Sequence, residues 1–141
     1  MVGVADRRLG FCLDVAHAWG AGIDVGDPDA TDAFLDAFDG GIGLERLVLL
    51  HLNDSRAERG SRLDRHEHVG AGRIGERGMA YLLRHPRLAH ATYIVETPGM
   101  DEGYDAINLA RAQALAWGRP LAPLPEGAFE LRGSRARTAP A

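Results

Sequence analysis

The chain has 141 residues, 45% hydrophobic and 26% charged, and its 16 basic residues, all arginine, are outweighed by 20 acids to leave a formal charge of -4. That length is one ordinary domain, the apolar content excludes a disordered chain, and the acidic balance argues against a generally basic nucleic-acid coat while permitting a local one. Cys12 is the one cysteine, no apolar stretch approaches the ~18 residues that span a bilayer, and residues 1–10 hold no signal-peptide core; together these predict a reduced, cytoplasmic chain with no membrane partner.

Charge is unevenly spread. Residues 23–45 hold seven acids and no arginine, which reads as a solvated helix face, whereas residues 56–87 hold eight arginines against Glu58, Asp64, Glu67 and Glu76. In chain order, residues 10–14 form a short apolar run ended by Asp14 and read as a buried strand. After a Gly-rich loop, Asp27 is placed to cap a helix beginning at Pro28, with Phe34, Leu35 and Phe38 on one face and Gly40-Gly41 as its stop. Residues 46–52 read as a second buried strand. A long Gly/Arg/His-rich loop follows, then a helix from about Glu76 that contains Met79, Leu82 and Leu83 and ends before Pro86. Residues 91–96 are the third strand, broken by Thr97-Pro98-Gly99. A last helix runs from about Glu102 to Trp117, with Tyr104, Ile107 and Ala114 spaced for one face and Gly118 and Pro120 behind it.

Strands alternating with helices predict a parallel sheet with right-handed crossovers, and near-continuous apolar strands predict that both faces of the sheet are covered. Three βα units cannot close a barrel, since eight take about 250 residues. The expected domain is residues 1–119. Residues 120–141, with Pro123, Pro125, Pro140 and an Arg-rich stretch at 132–137, read as a mobile tail.

Each predicted strand ends in a residue type that ligates metals: Asp14, His51 and Glu96. The C-terminal ends of parallel strands are where such folds place their sites. His17 lies three residues beyond Asp14, and Asp64-Arg65-His66 places two ligand types on the same side of an extended loop. A D-x-H pair with a second imidazole supplies three N/O ligands to zinc (Zn²⁺) and leaves a position open for water or substrate. His68 continues the alternation and either supports those ligands from behind or is simply solvated. Cys12, on a buried strand, is expected in the core rather than on a metal. His85 and His90 flank Pro86 in a surface turn and are expected to be chemically inert.

These residues carry a resemblance. Gly10-Phe11-Cys12-Leu13-Asp14-Val15-Ala16-His17, and Leu50-His51-Leu52-Asn53-Asp54-Ser55-Arg56 continued by Gly60-Ser61-Arg62-Leu63-Asp64-Arg65-His66-Glu67-His68-Val69-Gly70, resemble two signatures of the endonuclease IV family of apurinic/apyrimidinic endonucleases (deoxyribonuclease IV). Ile94-Val95-Glu96-Thr97-Pro98 resembles that family's final strand. The second signature keeps His, Asn-Asp, Gly-Ser and D-x-H in order, with Arg56 where the family usually has lysine. The first departs more, with Val15 and Ala16 where threonine and cysteine are common, and neither is a ligand position.

The resemblance covers residues 10 to about 117. It implies an α/β fold, a partial (β/α)8 TIM barrel made of the last three βα units with parallel strands. The family carries three zinc ions and hydrolyses the phosphodiester 5′ to an abasic site in DNA. Carried over residue by residue, this implies that His17, Asp64 and His66 bind one zinc, and that Asp14, His51 and Glu96 contribute to a second and form the catalytic group. Arg62 or Arg65 is then placed to meet a DNA phosphate. The family's bridging carboxylate, the histidines of its third zinc and its lesion-probing loops have no counterpart here, which implies an incomplete active site. The implied partners are DNA containing abasic sites, with an upstream barrel half or self-association completing the fold. Two other readings stand beside this one: a sugar-isomerase-like TIM-barrel metalloenzyme, and an inactive truncated zinc-binding remnant. The D-x-H pair behind His-Leu-Asn-Asp favours the nuclease, because an isomerase has no need of that additional metal pocket.

Overall fold

The chain runs β1 (Phe11–Asp14), α1 (Val15–Gly20), α2 (Pro28–Gly41), β2 (Leu47–Leu52), a small hairpin of β3 (Asp54–Ser55) and β4 (His66–Glu67), α3 (Gly75–Arg84), β5 (Thr92–Val95) and α4 (Tyr104–Ala116), with single turns of 3-10 helix between some of them. This computed structural model describes residues 6–131, so the Arg-rich stretch at 132–137 lies outside the described residues. The three longer strands pair in parallel in the order β1-β2-β5. Asp14 stands opposite His51, and Leu52 opposite Val95, so the C-terminal ends of all three strands meet along one edge. Glu96 continues the ladder by donating its N–H to the Leu52 carbonyl at 3.2 Å. The fold is α/β with a parallel sheet, as the alternation predicts, and the sheet is open: the described residues form no closed barrel.

Side chains alternate across a strand, so the register divides the sheet into two faces. On one, Leu13, Leu50, Leu52, Tyr93 and Val95 join a core with Leu35, Leu47, Met79, Leu82 and Leu88 beneath the helices. Leu50 and Leu52 are fully buried there, a gain of roughly 1.5–3 kcal/mol each over exposure. The other face carries Cys12, Leu49, Thr92 and Ile94 together with Asp14 and His51. Here the structure corrects the sequence expectation. Cys12 and Thr92 are exposed and Ile94 is 48% exposed, because every described helix lies on the opposite side. An apolar strand composition reports what the sheet can bury, and here it does not report what covers it.

The helix starts hold, whereas α2 runs through Gly40-Gly41 and α4 buries Asn108, Arg111, Ala112 and Leu115, leaving Tyr104, Ile107 and Ala114 half-buried beside them. Asp27 accepts the Ala30 N–H at 3.0 Å, Pro28 opens α2, and Phe38 packs edge-on against Phe11 with ring centroids 5.9 Å apart. Two elements have no sequence forecast. One is α1, which Asp14 caps through the His17 N–H at 3.0 Å. The other is the hairpin, held by Asp54, whose buried carboxylate accepts the N–H groups of Ser55, Gly72, Ile74 and Gly75 at 2.7–3.0 Å. Burial still pushes this carboxyl above its ordinary range, against the pull of those four donors. A side chain at Gly72 would collide with the Asp54 carboxylate, which is why the loop closes here on glycine.

Residues 120–131 are the described part of the predicted tail. Residues 121–131 lie against the body of the fold, with Ala128 and Leu131 buried and Leu121 packed on the core. His85 and His90 are structural. His85 is buried and shares the Asp32 carboxylate with the Tyr81 hydroxyl, joining α2 to α3, and His90 reaches the Leu44 and Leu47 carbonyls. Among the described residues no helix is long and apolar enough to cross a membrane.

Candidate metal centre

Parallel pairing forces the strand-end side chains together. His51 Nδ1 lies 2.9 Å from Glu96 Oε2 and 3.5 Å from Asp14 Oδ2, so one donor atom from each of the three strands falls within 4.8 Å of the others. Asp14, His17 and His66 form a second group of the same kind. His17 enters because α1 starts directly at the end of β1. His66 enters because β4 pairs with β3, placing it opposite Ser55. Asp64 stands between the two imidazoles, its Oδ2 at 3.1 Å from His17 Nε2 and its Oδ1 at 2.8 Å from His66 Nε2. All six ligand-type residues singled out in the sequence therefore converge on one patch, with Asp14 common to both groups.

The C-terminus of α1 holds the loop that delivers Asp64. Trp19 Nε1 donates to the Ala57 carbonyl, the Gly60 N–H to the Trp19 carbonyl and the Arg62 N–H to the Gly20 carbonyl, all at 2.9–3.0 Å. Arg62 is left with a φ of 59°, a conformation rare for a residue with a Cβ. It lines a cleft of about 320 Å³ with His17, Leu63 and Asp64. Arg65 contributes its carbonyl to the hairpin, accepting the Arg56 N–H at 2.9 Å. A second cleft, of about 280 Å³, is lined by Arg56, Asp64, His66, Glu96 and Thr97.

Two supporting residues escaped the sequence assignment. Asn53, fully buried, sets its Nδ2 3.2 and 3.3 Å from the Asp14 oxygens and 3.3 Å from His66 Nε2, while its Oδ1 accepts the Ala16 N–H at 2.8 Å. Its amide ties the two donor groups to each other. Arg56 donates through Nε to the His66 carbonyl at 3.1 Å. Both lie in the run after His51, inside the signature that carries the resemblance, which marks their positions but assigns neither a role.

The residues fit zinc. Imidazole nitrogens and carboxylate oxygens are its usual partners, and bonds of about 2.1 Å put neighbouring tetrahedral donors about 3.4 Å apart. The nitrogen–oxygen pairs here run from 2.8 to 4.0 Å. The hydrogen bond that His17 donates to the Asp64 carboxylate holds the imidazole protonated to a higher pH than a free one. The stabilisation from that pair is fully present below the ordinary histidine value and is lost as pH rises through the raised one. A metal competes with the same proton, so zinc affinity at this group is expected to rise as pH climbs from the ordinary histidine value through the raised one, with proton release on binding. Calorimetric titration in two buffers of different ionisation enthalpy measures both.

A parallel α/β sheet whose strand C-termini bring Asp, His and Glu side chains together has the site layout of a (β/α) barrel. The chain belongs to the xylose isomerase-like TIM barrel family, matched over residues 1–121. It is 45% identical over 112 residues to the probable endonuclease 4 of Methanoculleus marisnigri, covering 79% of this chain and 40% of that protein. It is 47% identical over 109 residues to the probable endonuclease 4 of Chloroflexus aggregans, covering 77% and 38%. The crystal structure of endonuclease IV from Thermus thermophilus superposes with a TM-score of 0.69 at 44% identity, over 82% of this chain and 41% of that one. The likeness to endonuclease IV read from the motifs thus extends over most of the chain. The chain spans about 40% of the length of the curated relatives it matches.

Proposed function

We propose that this chain is the zinc-binding C-terminal part of an endonuclease-IV-like DNA-repair phosphodiesterase, acting in the cytoplasm on the DNA backbone 5′ to abasic sites. The observation that carries the reading is the convergence of His17, His51, His66 and Glu96 on Asp14, with Asp64 bridging two of the imidazoles, in a chain 45% identical to a probable endonuclease 4. Zinc, when bound, supplies Lewis-acid stabilisation of the charge that builds on a phosphoryl group.

The chain's own residues prepare the place for it. Asp14, His51 and Glu96 hold one ion and form the catalytic group, because they stand at the strand ends beside the cleft lined by Arg56 and Thr97. His17, Asp64 and His66 hold another, with the Asp14 carboxylate shared between the two. Asn53 fixes the Asp14 carboxylate, so both groups inherit one geometry. Arg62 or Arg65 meets a DNA phosphate, supplying locally the attraction that a net charge of -4 does not.

The test completes the chain with the portion of the Methanoculleus protein that it does not cover, and follows cleavage of a duplex with one abasic site. The expected result is zinc-restored nicking at that site, none in the undamaged duplex, and a loss of roughly two orders of magnitude in His51→Ala. Sugar isomerisation in place of nicking overturns the reading in favour of the isomerase. Tight zinc binding with no nicking favours the inactive remnant.

A further inference from the structure

Residues 121–131 begin where the match to the family ends, at residue 121, yet they are fastened to both loops that carry candidate ligands. Their hold on the first loop is a buried polar relay. His68, fully buried and two residues beyond His66, donates from Nε2 to the Ala128 carbonyl at 2.8 Å, so its Nδ1 is the acceptor for the Asn108 amide at 2.9 Å. The orientation of Asn108 is settled independently, since its Oδ1 takes the Val69 N–H at 2.9 Å and its Nδ2 also donates to the Tyr104 carbonyl. Arg111, itself buried, links the same loop to the segment a second time, with Nε on the Val69 carbonyl and a guanidinium nitrogen on the Ala122 carbonyl, both at 2.7 Å. The segment also touches the loop after Glu96: Leu131 is buried so closely against Gly99 that a Cβ there would sit 2.6 Å from Leu131 Cδ1.

We propose that residues 121–131 are a strap that sets the spacing of the two ligand-bearing loops, and that His68 is the positioning residue that fastens it. His66 and Glu96 come from different loops, and a site of fixed donor spacing needs those loops held to each other. The sheet fixes Glu96 through the Leu52 ladder, whereas His66 stands on a hairpin of two residues a side with the Arg56 and Asn53 contacts beside it. The strap closes the remaining freedom by spanning from Val69 to Gly99. Each of its ties to the His66 loop is a charge-assisted or fully buried hydrogen bond, the kind that costs most to break. This inference rests on the zinc reading of the site.

The test measures zinc affinity of the full chain by competition with a chromophoric chelator, alongside thermal unfolding in excess chelator. His68→Leu keeps the volume and loses both hydrogen bonds, and is expected to weaken zinc binding about tenfold or more, as removal of support behind a ligand does. His68→Gln can donate to Ala128 and accept from Asn108, and is expected to bind zinc within about threefold of the unsubstituted chain. Leu131→Ala loosens the other end of the strap and is expected to weaken binding in the same direction, which keeps the test decisive if His68→Leu does not fold. A lowered melting temperature in His68→Leu and Leu131→Ala with unchanged zinc affinity overturns the strap as a positioning device. Absence of zinc binding by the unsubstituted chain overturns the zinc reading itself, and the inference with it.

Discussion

Replacing Asp14 with alanine is expected to remove tight zinc binding from both donor groups at once, whereas His51→Ala or His66→Ala removes it from one. Asp14 is the residue common to both groups, with His51, His17 and His66 at 3.5, 3.9 and 4.0 Å from its oxygens. It also caps α1 and receives both contacts from the buried Asn53 amide. The alanine variant therefore loses stability as well, about 1 kcal/mol for the cap and about 1–3 kcal/mol for the unsatisfied amide. Asp14→Asn separates the two effects, because asparagine caps a helix as well as aspartate does while bringing no negative charge to a cation. Elemental analysis after refolding with zinc, read beside the melting temperature, is expected to show low zinc in both variants and near-native stability only in Asp14→Asn. Zinc retained at one equivalent in Asp14→Ala would show that the two groups do not share this carboxylate.

What the sequence disclosed and what it withheld divide along a physical line. Asp14, His51 and Glu96 were legible because parallel strands bring their ends together whatever else surrounds them, and α2 was legible because Asp27 and Pro28 are local signals that act within one turn. Asp54 looked like the companion of Asn53 in a motif, but its task is to gather N–H groups as far along the chain as Gly75, which no local pattern announces. The hairpin that carries His66 pairs residues 54–55 with 66–67, too short on each side for any periodicity to register. The same holds for residues 121–131. Their proline, alanine and glycine content resembles a linker, and their order comes from His68 and Arg111, which reach them from distant parts of the chain. Cys12 shows the converse error: its strand is as apolar as a core strand, but apolar composition does not say on which side the neighbours stand.

The 141 residues by themselves are expected to nick an abasic-site duplex at no more than about a hundredth of the rate reached when the barrel is completed. Loose geometry adds to the chemistry that the resemblance implies is missing, the bridging carboxylate and the histidines of a third zinc. The ligand-type residues come from β1, β2, the hairpin and the turn after β5, and their relative positions are set by a sheet that, among the described residues, has two unpaired edges and one uncovered face bearing Cys12, Thr92 and Ile94. Such edges and faces invite association, and a sheet free to twist does not hold its ends to the ~0.5 Å that catalysis demands. A displacement of about 1 Å is enough to cost a factor of about 10² in rate. Nor does long-range attraction compensate, since a net charge of -4 repels the duplex everywhere except at the local arginines. Nicking assays with added zinc, run beside sedimentation at several concentrations, are expected to show a weakly active, self-associating chain, and robust activity only after the uncovered part of a relative is added. Robust nicking by the monomeric chain, abolished by His51→Ala, would mean that three strands hold the site as rigidly as a closed barrel does.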